Sequence, residues 1–280
     1  MKKIVSLFTL LILLLTSVPL VASAAGKAPN RTPEKVGYDI AWPQCGKTLP
    51  TNQSFGIIGV NGGNAANTNS CLASELVWAN KSLGNTTQAP LQLYVNTANP
   101  GEVISQITTW PTNNTDSTGS IAPNPNGTCH GQNDAACSWQ YGWNRAVEDN
   151  LQRFGPAART IGLDPAASRM WWLDVETMNT WQSGSADALA RNQATLEGMT
   201  SYFSTVGKVG LYSTAAQWST ITGATATATS NLAGLPNWRP SGSSLSNAMA
   251  NCTVAPLTPG GYISLTQYVV QNLDYNHTCI

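Results

Sequence analysis

Met170-Trp171-Trp172-Leu173-Asp174-Val175-Glu176 is the stretch on which the fold reading turns. It is too short and too apolar for a surface helix and reads as a buried strand over Arg169–Val175. Strand side chains alternate faces. Trp172, Asp174 and Glu176 therefore share one face, and Trp171, Leu173 and Val175 share the other, ready to pack on helices. Working outward, further strands are expected at Val36–Ala41, Phe55–Val60, Leu91–Asn96, Lys208–Ser213, Leu235–Arg239 and Tyr262–Val269. Helical spacing runs through 71–82, Trp139–Phe154 and Ser185–Thr205, and 111–137 is a long irregular stretch rich in Asn, Pro, Thr and Gly. Strands alternating with helices over such a length predict an α/β fold, an irregular (β/α) barrel of the TIM type with few helices after its late strands. A doubly wound sheet is the alternative, although Trp42-Pro43-Gln44-Cys45-Gly46 is no phosphate-binding fingerprint.

The two ends of the chain frame that domain. Met1-Lys2-Lys3, an apolar run over Ile4–Val21 and Ala22-Ser23-Ala24 read as a secretory signal peptide, residues 1–24. Residues 25–35 read as a flexible leader and 36–280 as the barrel domain. No later apolar run reaches the roughly 18 residues a span needs, so a secreted, extracellular protein that leaves the membrane after signal cleavage is expected. Without Lys2 and Lys3 the remaining chain carries 12 basic and 14 acidic residues, which gives nucleic acid no basic patch to bind. Two histidines, His130 and His277, are too few for a multi-histidine metal site or for most hydrolytic triads. No metal and no cofactor are expected, and a monomer is. Six cysteines in an exported chain read as disulfides. Order along the chain favours Cys45–Cys71, Cys129–Cys137 and Cys252–Cys279 among fifteen connectivities.

The 14 carboxylates are scarce enough for their positions to be informative. Asp39, Asp174, Glu176 and Asp274 lie at or near expected strand C-termini, the edge that carries the active site in barrels. Carboxyls two residues apart on one strand lie roughly 6 to 7 Å apart. They raise each other's proton affinity, which keeps one protonated as a general acid. Structural readings stand beside this one, a hydrogen-bonded buried carboxylate at Asp39 and a turn at Leu273-Asp274-Tyr275-Asn276. Of ten tryptophans, Trp42, Trp110, Trp181, Trp218 and Trp238 fall at expected strand ends or loops, where indoles can stack on sugar rings. Trp78, Trp139, Trp143 and Trp171 are assigned to core packing.

Four motifs then appear in order: Gly37-Tyr38-Asp39-Ile40-Ala41-Trp42, Leu173-Asp174-Val175-Glu176, Val209-Gly210-Leu211-Tyr212-Ser213 followed by Trp218, and Gln267-Tyr268 with Asp274-Tyr275-Asn276. Together they resemble glycoside hydrolase family 25, lysozymes that cleave peptidoglycan between N-acetylmuramic acid and N-acetylglucosamine. The resemblance implies Glu176 as proton donor and Asp174 as the carboxylate that steers the substrate's acetamido group in a retaining, neighbouring-group mechanism. Asp39 and Asp274 would line the cleft. Trp42, Trp181, Trp218, Trp238, Tyr212, Gln267, Tyr268 and Asn96 would contact a cell-wall glycan. The chain departs from the family at Gly59-Val60-Asn61-Gly62-Gly63, at Tyr94-Val95-Asn96, at Thr266, and in Cys45, Cys71 and the 111–137 insertion. A non-catalytic carbohydrate-binding barrel is the competing reading. A peptidase or esterase would need a histidine-based triad or an HExxH stretch, and neither is present.

Overall fold

Each strand of the barrel alternates one face toward the axis and one toward the helices, and the sequence is sorted accordingly. The structure, a computed structural model, describes residues 35–280. The expected signal peptide and leader residues 25–34 lie outside the described residues. The strands are β1 (Gly37–Ile40), β2 (Phe55–Gly59), β3 (Leu91–Asn96), β4 (Arg169–Asp174), β5 (Gly207–Tyr212), β6 (Pro236–Pro240), β7 (Tyr262–Val270) and β8 (Leu273–Thr278), closed in that order. The helices are α1 (Leu72–Ala79), α2 (Ala135–Glu148), α3 (Gly155–Thr160), α4 (Ala186–Val206), α5 (Ala215–Thr222) and α6 (Leu245–Asn251). The doubly wound alternative is excluded by closure.

Phe55, Ile57, Trp172, Tyr212, Trp238 and Leu265 fill the barrel interior. Ile58, Leu93, Val95, Trp171, Leu173, Val175, Val209 and Leu211 belong to the larger layer between strands and helices. The interior holds this aromatic bulk because small residues face it. A Cβ at Gly37 would strike the Phe55 ring, and one at Gly210 would strike Trp172 and Met170. Trp172 is kept from orphaning its indole by a 2.7 Å hydrogen bond to Gln92 Oε1.

Seven strands run parallel and β8 does not. Val270 pairs with Leu273 across Gln271 and Asn272, both with positive φ (51° and 61°), a two-residue hairpin turn of the type that matches strand twist. The reversal therefore occurs before Leu273, not at Leu273–Asn276, and Asp274 is a strand residue rather than a turn residue. β8 pairs antiparallel with both β7 and β1, which closes the barrel. Because β8 runs the other way, its beginning lies at the rim where the other strands end.

Two helices, α5 and α6, follow the late strands β5 and β6, the few expected there. They are short and rich in Ala, Ser and Thr, so their apolar period is weak, and their ends carry the signal instead. Thr214 and Gln217 form a capping box on α5, which stops at Gly223 in the left-handed region (φ 67°). Ser244 caps α6. The expected helix 139–154 begins earlier, at Ala135, where the Asp134 carboxylate accepts from Cys137 N. It continues through a π-helical turn, Asp149–Phe154, into α3. Disulfides join Cys45 to Cys71, Cys129 to Cys137 and Cys252 to Cys279. Among the described residues no helix is long and apolar enough to cross a membrane.

Helices α2 and α4 touch backbone to backbone. A Cβ at Gly142 would collide with the Thr195 carbonyl, and one at Gly198 with the Trp139 carbonyl. Gly142→Ala or Gly198→Ala is expected to destabilise the chain by about 2 kcal/mol, because helix propensity gained is smaller than the overpacking cost. Urea denaturation would check this, and an unchanged midpoint would refute the close crossing.

Candidate active site

Four carboxylates converge at the open end of the barrel. Asp39, Tyr94, Asp174, Glu176, Tyr212, Trp238, Gln267, Val269 and Asp274 line a cavity of about 330 Å³. The placement follows from register. Asp39 sits opposite Asp274 across the β1–β8 seam, and Asp274 sits opposite Val269. β4 ends at Asp174, whose carbonyl accepts from Thr97 N (3.1 Å) and Thr97 Oγ1 (2.6 Å). Val175 N still reaches Tyr212 O at 2.9 Å, so Glu176 lies just beyond the strand, at the mouth. Its carbonyl accepts from the Trp181 indole at 2.9 Å.

Asp39 is held most firmly. Gln267 Nε2 donates to both its oxygens at 3.1 Å, and Asn276 Nδ2 donates to Oδ1 at 2.7 Å. The Tyr212 hydroxyl in turn donates to Gln267 Oε1, and the Trp238 indole to Asn276 Oδ1, both at 2.7 Å. Burial, with the Asp274 charge adding to it, still pushes Asp39 up to about 8. Asp174 is raised well above the carboxylate range, first by burial and then by Glu176 and Asp39. Its Oδ1 is buried and has no hydrogen-bond partner. Glu176 is more open. Burial raises it, and a hydrogen bond from the Gln217 side chain works the other way. Asp274 is raised by burial and by Glu176. Burial thus raises both carboxyls, and the Glu176 charge adds to the rise at Asp174.

The other expected contact residues divide. Tyr212, Gln267 and Trp238 line the cavity. Trp42 is 50 % exposed and borders a separate depression with Gly62, Asn67, Thr68 and Ser70. Trp181 packs half-buried against the outer layer and supports Glu176 through its indole N–H. Trp218, expected in a loop, is buried on α5 in the outer layer, and Trp110 is buried against Tyr141. Neither can stack on a sugar where it stands. Tyr268 points outward, one residue out of phase with Gln267, and packs on Tyr275 (5.2 Å between centroids). Asn96 is buried, its backbone N–H and side-chain amide both bonded to Asn61 Oδ1 at 2.8 and 2.9 Å, and it is not among the residues lining the cavity. Four residues at the site lay outside the sequence reading: Tyr94, Val269, Gln217 and Asn276 as a side chain bonded to Asp39. Tyr94 and Val269 were legible from alternation, and Gln217 from its Thr-x-x-Gln capping box. Among the described residues no cluster of His, Cys, Asp and Glu is arranged to hold a metal ion.

No family model matches the sequence, and no curated protein matches it. Two solved structures of the modular autolysin LytC from Streptococcus pneumoniae are similar, one of them in complex with a synthetic peptidoglycan ligand. Their TM-scores are 0.44 for the complex and 0.46, each at 11 % identity over 86 % of this chain and 46 % of the autolysin. The chain thus spans less than half the length of that protein.

The buried carboxyls set a pH dependence. Asp39 rises from 3.8 to about 8, and Glu75 of α1, buried with Oε2 on Asn69 Nδ2, rises from 4.5 to about 7. Folded values above unfolded ones mean that folding favours the protonated forms. Their contribution is fully present below about pH 4 and is lost as pH climbs through 7 to 8. The melting temperature is expected to fall between about pH 4 and pH 8, less steeply in Asp39→Asn. A Tm that rises over that window in scanning calorimetry would contradict the burial of these groups.

Proposed function

We propose that this barrel is an exported glycoside hydrolase acting on cell-wall glycan, with Glu176 as general acid and Asp174 as its partner. The observation that carries the reading is the carboxylate cluster itself. Four acidic side chains share one cavity at the strand ends, and burial raises the proton affinity of each, Asp39 to about 8. Cleavage of a glycosidic bond needs such a group to protonate the leaving oxygen. The resemblance to the family 25 lysozymes points to the same residues, and three disulfides suit an oxidising, extracellular setting.

The unpaired Oδ1 of Asp174 gives the mechanism its direction. An N-acetyl group entering the cavity donates its N–H to that oxygen, and a donor stabilises the ionised carboxylate. The same ligand displaces water from Glu176 at the mouth and raises its proton affinity. Binding therefore favours an ionised Asp174 beside a protonated Glu176, where the leaving oxygen lies. Glu176 then gives the proton to that oxygen as the acetamido carbonyl attacks the anomeric carbon. Asp174 takes up the amide proton or balances its charge. Water opens the cyclic intermediate as Glu176 takes a proton from that water and Asp174 returns to the amide nitrogen any proton it took, and the product retains its configuration.

Glu176→Gln is expected to lower wall digestion by roughly a hundredfold to ten-thousandfold while leaving glycan binding and the circular dichroism spectrum unchanged. Asp174→Asn should also impair turnover. Wild-type rates in Glu176→Gln would remove Glu176 from the role. Glycan binding without muropeptide release by the wild type would assign the barrel to the non-catalytic binders.

A further inference from the structure

A second and larger cavity, about 480 Å³, opens where the chain leaves β2, β3 and β4. It shares connecting segments with the first. The exit from β4 supplies Glu176 to the carboxylate cavity, then Asn179 and Thr180 to this one. β3 supplies Tyr94 to the first, and its exit supplies Ala98 and Pro100 to the second. Asn179 N donates to Glu176 O at 3.3 Å, so the two linings are joined through one turn.

Its chemistry differs from that of its neighbour. No charged side chain lines it. A phosphate, carboxylate or ammonium entering it would lose water and gain no counter-charge. Ala65, Ala98, Pro100 and Ile107 supply apolar surface, while Asn64, Thr109, Asn179 and Thr180 supply amides and hydroxyls. Asn179 Nδ2 is buried and has no partner in the protein, and Asn179 lies between this cavity and a smaller depression beside Trp181 and Gln182. Met178, 81 % exposed, stands at the edge. A neutral ligand that combines hydroxyls, an amide carbonyl and small apolar faces fits these groups.

The wall is braced by the insertion that the family resemblance left unexplained. Tyr141, which lines the cavity, stacks on Trp110 at 5.5 Å, and both pack with the Cys129–Cys137 disulfide. Asn99 fixes the β3 exit by accepting from Gly101 N (3.0 Å) and Gln182 Nε2 (2.9 Å).

We propose that this cavity is a second subsite that takes an uncharged N-acetylated sugar of the same glycan chain, beyond the disaccharide held at the carboxylate cavity, with the Asn179 side-chain amide donating to its amide carbonyl or a hydroxyl. The proposal rests on reading the first cavity as a glycan cleft. It extends the bound length of the chain and gives the 111–137 insertion the task of shaping that extension.

Calorimetric titration with the di- and tetrasaccharide of N-acetylglucosamine tests it, in a Glu176→Gln background so that no ligand is consumed. The tetrasaccharide should bind about tenfold more tightly than the disaccharide. Asn179→Leu, which removes the donor, and Ala66→Phe, which fills the cavity from its exposed edge, should each remove most of that gain and leave disaccharide affinity unchanged. Melting curves confirm folding of both variants. Equal affinities for the two oligomers, or variants that keep the tetrasaccharide gain, would overturn the subsite and leave the glycan reading intact. Absence of binding to either oligomer would overturn both. A peptide-branched disaccharide that binds tightly, loses that affinity in both variants and shows no dependence on glycan length would assign the cavity to peptide and overturn the sugar proposal.

Discussion

The hydrogen-bonded seam between β1, β7 and β8 is the constraint on which the site depends. Tyr212 donates to Gln267, Gln267 and Asn276 donate to Asp39, and Trp238 donates to Asn276. Each donor in this chain is buried, so each would be costly to leave unpaired. The chain of bonds fixes the angle at which the last strand meets the first. It also allows a carboxyl to be buried inside a barrel otherwise filled by Phe55, Trp172 and Trp238. Without the antiparallel β8, Asp274 would lie at the opposite end of the barrel from Asp39.

Once the seam is closed, the electrostatics follow from depth. Asp39 and Asp174 are buried among aromatic rings and hold protons tightly, whereas Glu176 faces the opening and is supported by Gln217. Burial therefore raises the carboxyls at the floor and at the mouth alike. A ligand acts on both, offering a donor to Asp174 and excluding water from Glu176. The adjoining cavity lacks charge altogether. The rim thus divides into an acidic region suited to bond cleavage and a neutral region suited to holding what lies beside the bond.

Much of this was legible in the sequence, and the failures have physical causes. The period-2 alternation in Met170–Glu176 put Trp172, Asp174 and Glu176 on one face because a tightly packed strand tolerates no phase error. The same rule placed Asp39 inward beside Gly37. What alternation could not show was direction. Nothing local distinguishes an antiparallel β8 from a turn until Gln271 and Asn272 are seen in the left-handed region. Trp218 was assigned to a loop because α5 is held by its caps and not by an apolar stripe. Tyr268 was carried with Gln267 as a motif, although neighbours on a strand face opposite ways. The rise that burial gives to Asp174 and Glu176 depends on depth in the barrel, which no spacing encodes.

The central claim is that this mouth keeps carboxyl protons near neutral pH. Infrared difference spectroscopy of the protonated-carboxyl stretch, at about pH 6 where free carboxyls are ionised, tests it most directly. The account predicts a protonated-carboxyl band in the wild type that loses intensity in Asp174→Asn and again in Asp39→Asn. A spectrum at that pH with no protonated-carboxyl band would contradict it.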